Sequence, residues 1–98
     1  MSTTPPGYWI AHVSILDEKA YAEYKRLAGE AITAHGGKFL ARGGRYQQIE
    51  GRGRAWNTVA SFPSFEAALS CYHSAEYAAA LEIAAGAIER DLVIVEGQ

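Results

Sequence analysis

The chain has 98 residues, a length that suits one domain. Its net charge of −2 and pI of about 5.9 argue against a nucleic-acid or membrane-surface partner. The single Cys71 excludes an internal disulfide and fits a reducing compartment. No apolar run approaches the roughly 20 residues of a membrane helix, and the start has no signal-peptide pattern, so we expect a cytoplasmic protein.

The first half of the chain predicts a short arm, a strand and a helix. Residues 1–7 read as a flexible N-terminal arm in front of a single domain at 8–98. Residues 8–15 are rich in aromatic and β-branched groups and predict a strand. Asp17 is a suitable N-cap for the amphipathic helix that follows, and Gly36 and Gly37 close it.

The second half predicts a hairpin, a capped helical region and a last strand. Residues 38–46, bent at the Gly43-Gly44 pair, and 54–62 are expected to pair as a hairpin. Ser64 and then Ser74 are helix caps, and the step before Ser74 is either a kink or a break between two helices. Residues 91–96 form the last strand. The resulting βαββαβ order predicts an α+β, ferredoxin-like fold, with an antiparallel sheet and helices on one face.

Several strands are apolar on both faces, which predicts a partner subunit. Residues 92–95 are continuously apolar, and 8–15 has large apolar groups at odd and even positions. Side chains alternate across a strand, so both sheet faces need cover. A chain this short has helices for one face only. A homodimer is therefore predicted, with a pocket between the subunits.

The two predicted faces differ in character. The face expected to meet the helices is apolar; it comprises Trp9, Val13, Ile15, Phe39, Trp56 and Phe62. The face expected to meet the partner is mixed; its candidate ligand-binding residues are His12, Arg42 and Asn57 among Ile10, Leu40 and Val59. A few polar groups on an apolar surface are typical of a small-molecule pocket.

Each polar candidate has a chemical role and a structural alternative. Histidine is the side chain best suited to take up a proton near neutral pH, so His12 is a candidate general base, or a haem or metal ligand. The guanidinium of Arg42 suits an acidic group, and Asn57 can orient a ligand. All three can instead pair only with interface groups. Because the charge balance is acidic, Arg45, Arg52 and Arg54 are interpreted as a solvated hairpin tip.

No metal or cofactor site is predicted. His73 and Glu76 have helical i,i+3 spacing, but a stable metal site needs three or four ligands. The remaining histidines offer no clear haem ligand. Cys71 has no evident base beside it and is predicted to be a buried structural residue.

Long, correctly ordered motifs resemble those of the DUF1330 family. They cover nearly the whole chain from Gly7, as residues 8–13 (YWIAHV), 34–44 (AHGGKFLARGG), 62–68 (FPSFEAA), 72–77 (YHSAEY) and 91–97 (DLVIVEG). Ala75 departs from the family pattern, where proline is usual, and Trp56-Asn57 occupies a stretch that is usually β-branched.

The resemblance implies a dimeric α/β barrel in which two sheets pack face to face, and it implies no established activity. Two functions stay open. The first is a homodimer whose pocket takes a small acidic or aromatic ligand, as a binding site or a cofactor-independent enzyme. The second is a non-catalytic dimeric sensor or accessory module.

Overall fold

A computed structural model describes residues 3–98, so Met1 and Ser2 of the predicted arm lie outside the described residues. The elements in chain order are β1 Gly7–Ile15, α1 Glu18–Ala34, β2 Lys38–Arg42, β3 Trp56–Phe62, α2 Phe65–Tyr72, α3 Ala75–Ala84 and β4 Ile88–Glu96. The strands form one sheet in the order β2-β3-β1-β4, and every neighbouring pair is antiparallel. The predicted α+β order is confirmed, with the second helix divided in two.

Side-chain caps begin all three helices at the predicted residues. Asp17 accepts a hydrogen bond from the Ala20 amide at 3.1 Å, and Ser64 accepts one from the Ala67 amide at 3.0 Å. Ser74 caps α3 and also donates to the Cys71 carbonyl. The step before Ser74 is therefore a real break, which lets α3 take its own direction from α2.

The helices cover one face of the sheet, and the core lies between these two layers. Trp9 donates its indole N–H to the Ala68 carbonyl of α2 at 2.9 Å, and its ring contacts Tyr77 of α3. Tyr21 of α1 packs edge-on against Trp56 of β3. Trp9, Val13 and Phe62 are buried, and Ile15, Phe39 and Trp56 pack partly buried against them. The predicted apolar face is confirmed as the helix-covered one.

The predicted hairpin strands are too long. Strand β2 ends at Arg42 and not at Tyr46, and β3 begins at Trp56 and not at Arg54. Gly43 takes a φ of 67°, and a Cβ there would collide with the Trp56 ring, so only glycine fits this turn out of the sheet. Residues 43–55 then form an exposed loop.

The opposite sheet face carries apolar side chains that none of the helices α1, α2 and α3 covers. Ile10 of β1 stands between Val59 of β3 and Val93 of β4 in the strand register. Val93 is 53% exposed and Val95 is 42% exposed. We call the surface formed by Ile10, Leu40, Val59, Val93 and Val95 the open face.

Candidate functional site

A row of polar residues crosses three strands at one end of the open face. In the strand register His12 of β1 stands opposite Asn57 of β3 on one side and Asp91 of β4 on the other. The next residue of β1 on this face is Ser14, which stands opposite Glu89 of β4. Polar groups thus follow the apolar Val59-Ile10-Val93 row along the same face.

The hydrogen bonds of Asn57 set the tautomer of neutral His12. The Asn57 amide nitrogen donates to the Arg54 carbonyl at 3.2 Å, so its amide oxygen points to His12. That oxygen lies 2.6 Å from Nδ1 of His12. Because the oxygen can only accept, Nδ1 carries a proton, and Nε2 of the neutral ring keeps its lone pair. The side chain of His12 is exposed, so a ligand can reach Nε2.

Arg54 ties the polar row to the loop. Its Nε donates to the Asp91 carboxylate at 3.1 Å, and its Nη1 donates to the Ser14 hydroxyl at 3.0 Å. The Glu89 carboxylate lies 3.5 Å from Nη1. Arg54 is half-buried and bonded to β1 and β4, so its interpretation as part of a solvated hairpin tip is wrong. Its guanidinium holds the end of the loop against β1 and β4, and its backbone carbonyl accepts from Asn57 of β3.

An open recess of about 530 Å³ lies between the loop of residues 43–55 and the polar row. Its lining consists of His12, Gln48, Gly51, Arg52, Gly53, Arg54 and Asp91. Gly53 has a φ of 57°, and a Cβ there would collide with the Gln48 side chain. In the described part of the chain Arg52 has no carboxylate within 4.0 Å, so it supplies an unneutralised positive charge.

Arg42 does not join this site, and its predicted place on the same sheet face as His12 is wrong. Phe39 pairs with Ala60 but Ala41 pairs with Val59, so one extra residue of β2 forms a bulge. The bulge shifts the alternation, and Arg42 falls opposite Thr58 on the helix side. There Nη2 of Arg42 donates to the Lys25 carbonyl of α1 at 2.7 Å.

The remaining predicted ligand-binding residues lie on the open face. Ile10 and Val59 are direct cross-strand partners. Leu40, the bulged residue, is 56% exposed and with Ala41 stands opposite Val59. These three lie beyond the polar recess, whose lining does not include them. They form an apolar surface next to the site.

Sequence reasoning missed Arg54 and Asp91 as members of the site. A signal for Asp91 was present, because it continues the period-two series of Val93 and Val95 onto the open face. No local signal existed for Arg54, since its partners are 37 and 40 residues away in the chain.

The described residues contain no cluster of three or more potential metal ligands. Within residues 3–98, no helix combines the length and the apolar character needed to cross a bilayer.

The fold itself defines the class, a ferredoxin-like α+β protein. A crystal structure of RPA0582, a protein of unknown function from Rhodopseudomonas palustris, matches with a TM-score of 0.78 at 19% identity, over 96% of this chain and 83% of that one. SnoaB, a cofactor-independent oxygenase from Streptomyces nogalater, matches with a TM-score of 0.70 at 4% identity, over 97% and 95%.

A third structure shares the same fold. It is a dimeric protein of unknown function and ferredoxin-like fold from Bacteroides fragilis; its TM-score is 0.54 at 17% identity, over 97% of this chain and 99% of that one. No curated protein matches the sequence significantly. The model of the domain of unknown function DUF1330 matches residues 6–98, and the chain belongs to that family.

Proposed function

We propose that this protein is a cytoplasmic homodimer that binds a small acidic ligand at the recess beside His12, where His12 acts as a general base without a cofactor. The observation that carries the proposal is the hydrogen-bonded chain from the Arg54 carbonyl through Asn57 to Nδ1 of His12. A chain of this kind holds an imidazole in one orientation and leaves Nε2 free to take a proton.

Charge supports an acidic ligand. Arg52 lines the recess without a carboxylate partner in the described residues, whereas Arg54 is already paired with Asp91 and Glu89. A ligand held on Arg52 by a carboxylate would bring a second group, an acidic C–H or a phenol O–H, towards His12.

The open face supports the homodimer. Leu40, Val93 and Val95 are large apolar side chains, each more than two-fifths exposed, on one continuous surface. Contiguous apolar patches of this kind mark interfaces in soluble proteins. A second copy on this face would also cover the recess and reduce the access of water to His12. The similarity to a dimeric ferredoxin-like protein agrees with this arrangement.

The similarity to SnoaB agrees with the catalytic part of the proposal, since that protein is a cofactor-independent oxygenase. The identity is 4%, so the likeness concerns the fold, and the chemistry rests on His12.

A thermal-shift screen against small aromatic carboxylates and phenols tests the proposal. A ligand that binds only the folded state raises the melting temperature by mass action. We expect at least one compound to raise Tm for the wild-type protein, with the effect lost in His12→Gln and Arg52→Gln. His73→Gln, which changes an exposed histidine outside the recess, is the control and should respond as wild type.

Proton transfer is tested on the ligand found in that screen. Exchange of its acidic C–H hydrogen in D₂O, followed by proton NMR, should be accelerated by wild type and not by His12→Gln. If the ligand raises Tm equally for the wild type and for His12→Gln, and no exchange occurs, the protein is instead the non-catalytic dimeric module.

A further inference from the structure

Arg90 is a half-buried cation on the helix side of the sheet, away from the His12 recess. It stands opposite Val13 in the register of β4 and β1, and Val13 is a core residue. Its Nη1 donates to the hydroxyls of Tyr24 and Tyr77 at 2.8 and 2.9 Å. Within residues 3–98, no carboxylate lies within 4.0 Å of this guanidinium. A cation withdrawn from water without a counter-ion is costly, so an anionic partner would stabilise it.

The hydrogen bonds around Arg90 leave donors without acceptors. A guanidinium has five N–H groups, and the two bonds to Tyr24 and Tyr77 leave three. The two hydroxyls also contact each other, so one of them donates to the other and one tyrosine proton is left over. Among the described residues no acceptor takes these hydrogens.

The free donors of Arg90 are reachable from solvent. In the described part of the chain every buried side-chain nitrogen or oxygen has a hydrogen-bond partner, so the unpaired Nε and Nη2 atoms of Arg90 are not buried. The free Nε and Nη2 groups form one edge of the guanidinium, and two parallel N–H groups on one edge match the two oxygens of a carboxylate.

An apolar groove of about 480 Å³ leads away from Arg90. Leu92 and Ile94 follow Arg90 on the same side of β4 and form its floor, because side chains two residues apart share a face. Leu69 and Tyr72 of α2 form its wall. All four are half-buried, so the groove offers apolar surface that is still open to solvent.

We propose that this groove is a second binding site, which takes a small organic carboxylate with an apolar body. The carboxylate lies on the Nε and Nη2 edge of Arg90, and the body packs on Leu92, Ile94 and Tyr72. Tyr24 and Tyr77 position Arg90 through Nη1. The site lies on the sheet face opposite His12 and does not depend on the proposed function.

The test is an NMR titration of ¹⁵N-labelled wild-type protein with 4-phenylbutyrate and with its neutral amide, 4-phenylbutanamide. We expect 4-phenylbutyrate to cause saturable chemical-shift changes in the backbone N–H signals of Leu69, Leu92 and Ile94. We expect 4-phenylbutanamide to bind at least tenfold more weakly. Arg90→Gln should weaken acid binding at least tenfold. Arg26→Gln, an exposed arginine on α1, is the control and should bind as wild type.

Two further variants keep the test decisive. Arg90→Lys keeps the positive charge but lacks the two parallel N–H groups. Tyr77→Phe removes one hydroxyl that accepts from Nη1. Both variants should weaken binding of the acid, and they test the site even if Arg90→Gln fails to fold. His12→Gln should leave the titration unchanged, which separates this site from the His12 recess. Equal affinity for acid and amide, or shifts confined to the His12 end of the sheet, would overturn the proposal.

Discussion

Three tyrosine side chains lie in the layer between the helices and the sheet. Tyr21, Tyr24 and Tyr77 are all buried, and Tyr77 is fully so. Burial, together with the neighbouring Tyr24, raises the pKa of Tyr21 to about 12. The same two causes raise the pKa of Tyr77 well above its ordinary value. The Tyr21 and Tyr77 hydroxyls therefore stay neutral in the folded protein at pH values where an unfolded chain ionises.

This difference makes the protein less stable at alkaline pH. Above pH 10 the unfolded chain releases the Tyr21 proton while the folded chain keeps it, so the free energy of unfolding falls as pH rises towards 12. Between pH 9 and 11 we expect the free energy of unfolding to fall by about 1 kcal/mol less in Tyr21→Phe than in the wild type. Urea unfolding at both pH values measures it. Tyr46→Phe, at an exposed loop tyrosine, should behave as wild type; a Tyr21→Phe curve parallel to wild type would contradict the assignment.

At the scale of elements, Ser74 separates α2 from α3. Its hydroxyl accepts from the Tyr77 amide at 3.2 Å and donates to the Cys71 carbonyl at 2.7 Å. The Ser74 side chain therefore satisfies a backbone carbonyl at the end of α2 and a backbone N–H at the start of α3. The break lets α3 pack against α1 through Tyr77 and Tyr24.

Ser74→Ala is expected to lower the free energy of unfolding by about 1–2 kcal/mol, because both helix ends lose their partner. Ser70→Ala is the matched control; Ser70 is exposed within α2, where alanine suits the helix, so its effect should stay within about 0.5 kcal/mol. Urea denaturation at neutral pH measures both. Equal free energies of unfolding for the two variants would show that the Ser74 cap does not stabilise the fold.

At the scale of the whole molecule, the open face is the surface of the proposed homodimer. The molecule measures 46 × 35 × 17 Å, so its shortest dimension accommodates only one sheet and one helix layer. Stacked sheets pack about 10 Å apart, and a second copy could supply the missing layer with its own open face. The apolar residues at the centre of this face would then be buried in the dimer.

Val93→Glu should convert the proposed homodimer to a monomer, because it places a charge among the apolar residues of that interface. Leu16→Glu is the control; Leu16 is also highly exposed, but it lies at the turn after β1 and not on the open face. Light scattering coupled to size-exclusion chromatography measures the mass, and circular dichroism checks the fold. A monomeric wild type, or a Val93→Glu variant that stays dimeric, would exclude the proposed interface.

Local patterns were sufficient to predict the elements and the core. Alternation along β1 separated Trp9 and Val13 from Ile10 and His12, and the serine and aspartate caps marked the helix starts. These features depend on neighbours in the chain, so they are readable from the sequence. His12 and Asn57 were also brought together correctly, because both strands keep a regular register up to that row.

The sequence by itself determined the α+β order, the helix-covered face and the family. Only the tertiary structure decided which polar groups meet. A single bulged residue in β2 moved Arg42 to α1, and pairings across more than 35 residues brought Arg54 to Asp91 and Arg90 to Tyr24. Register shifts and distant contacts depend on how whole elements pack, and no local pattern encodes that packing.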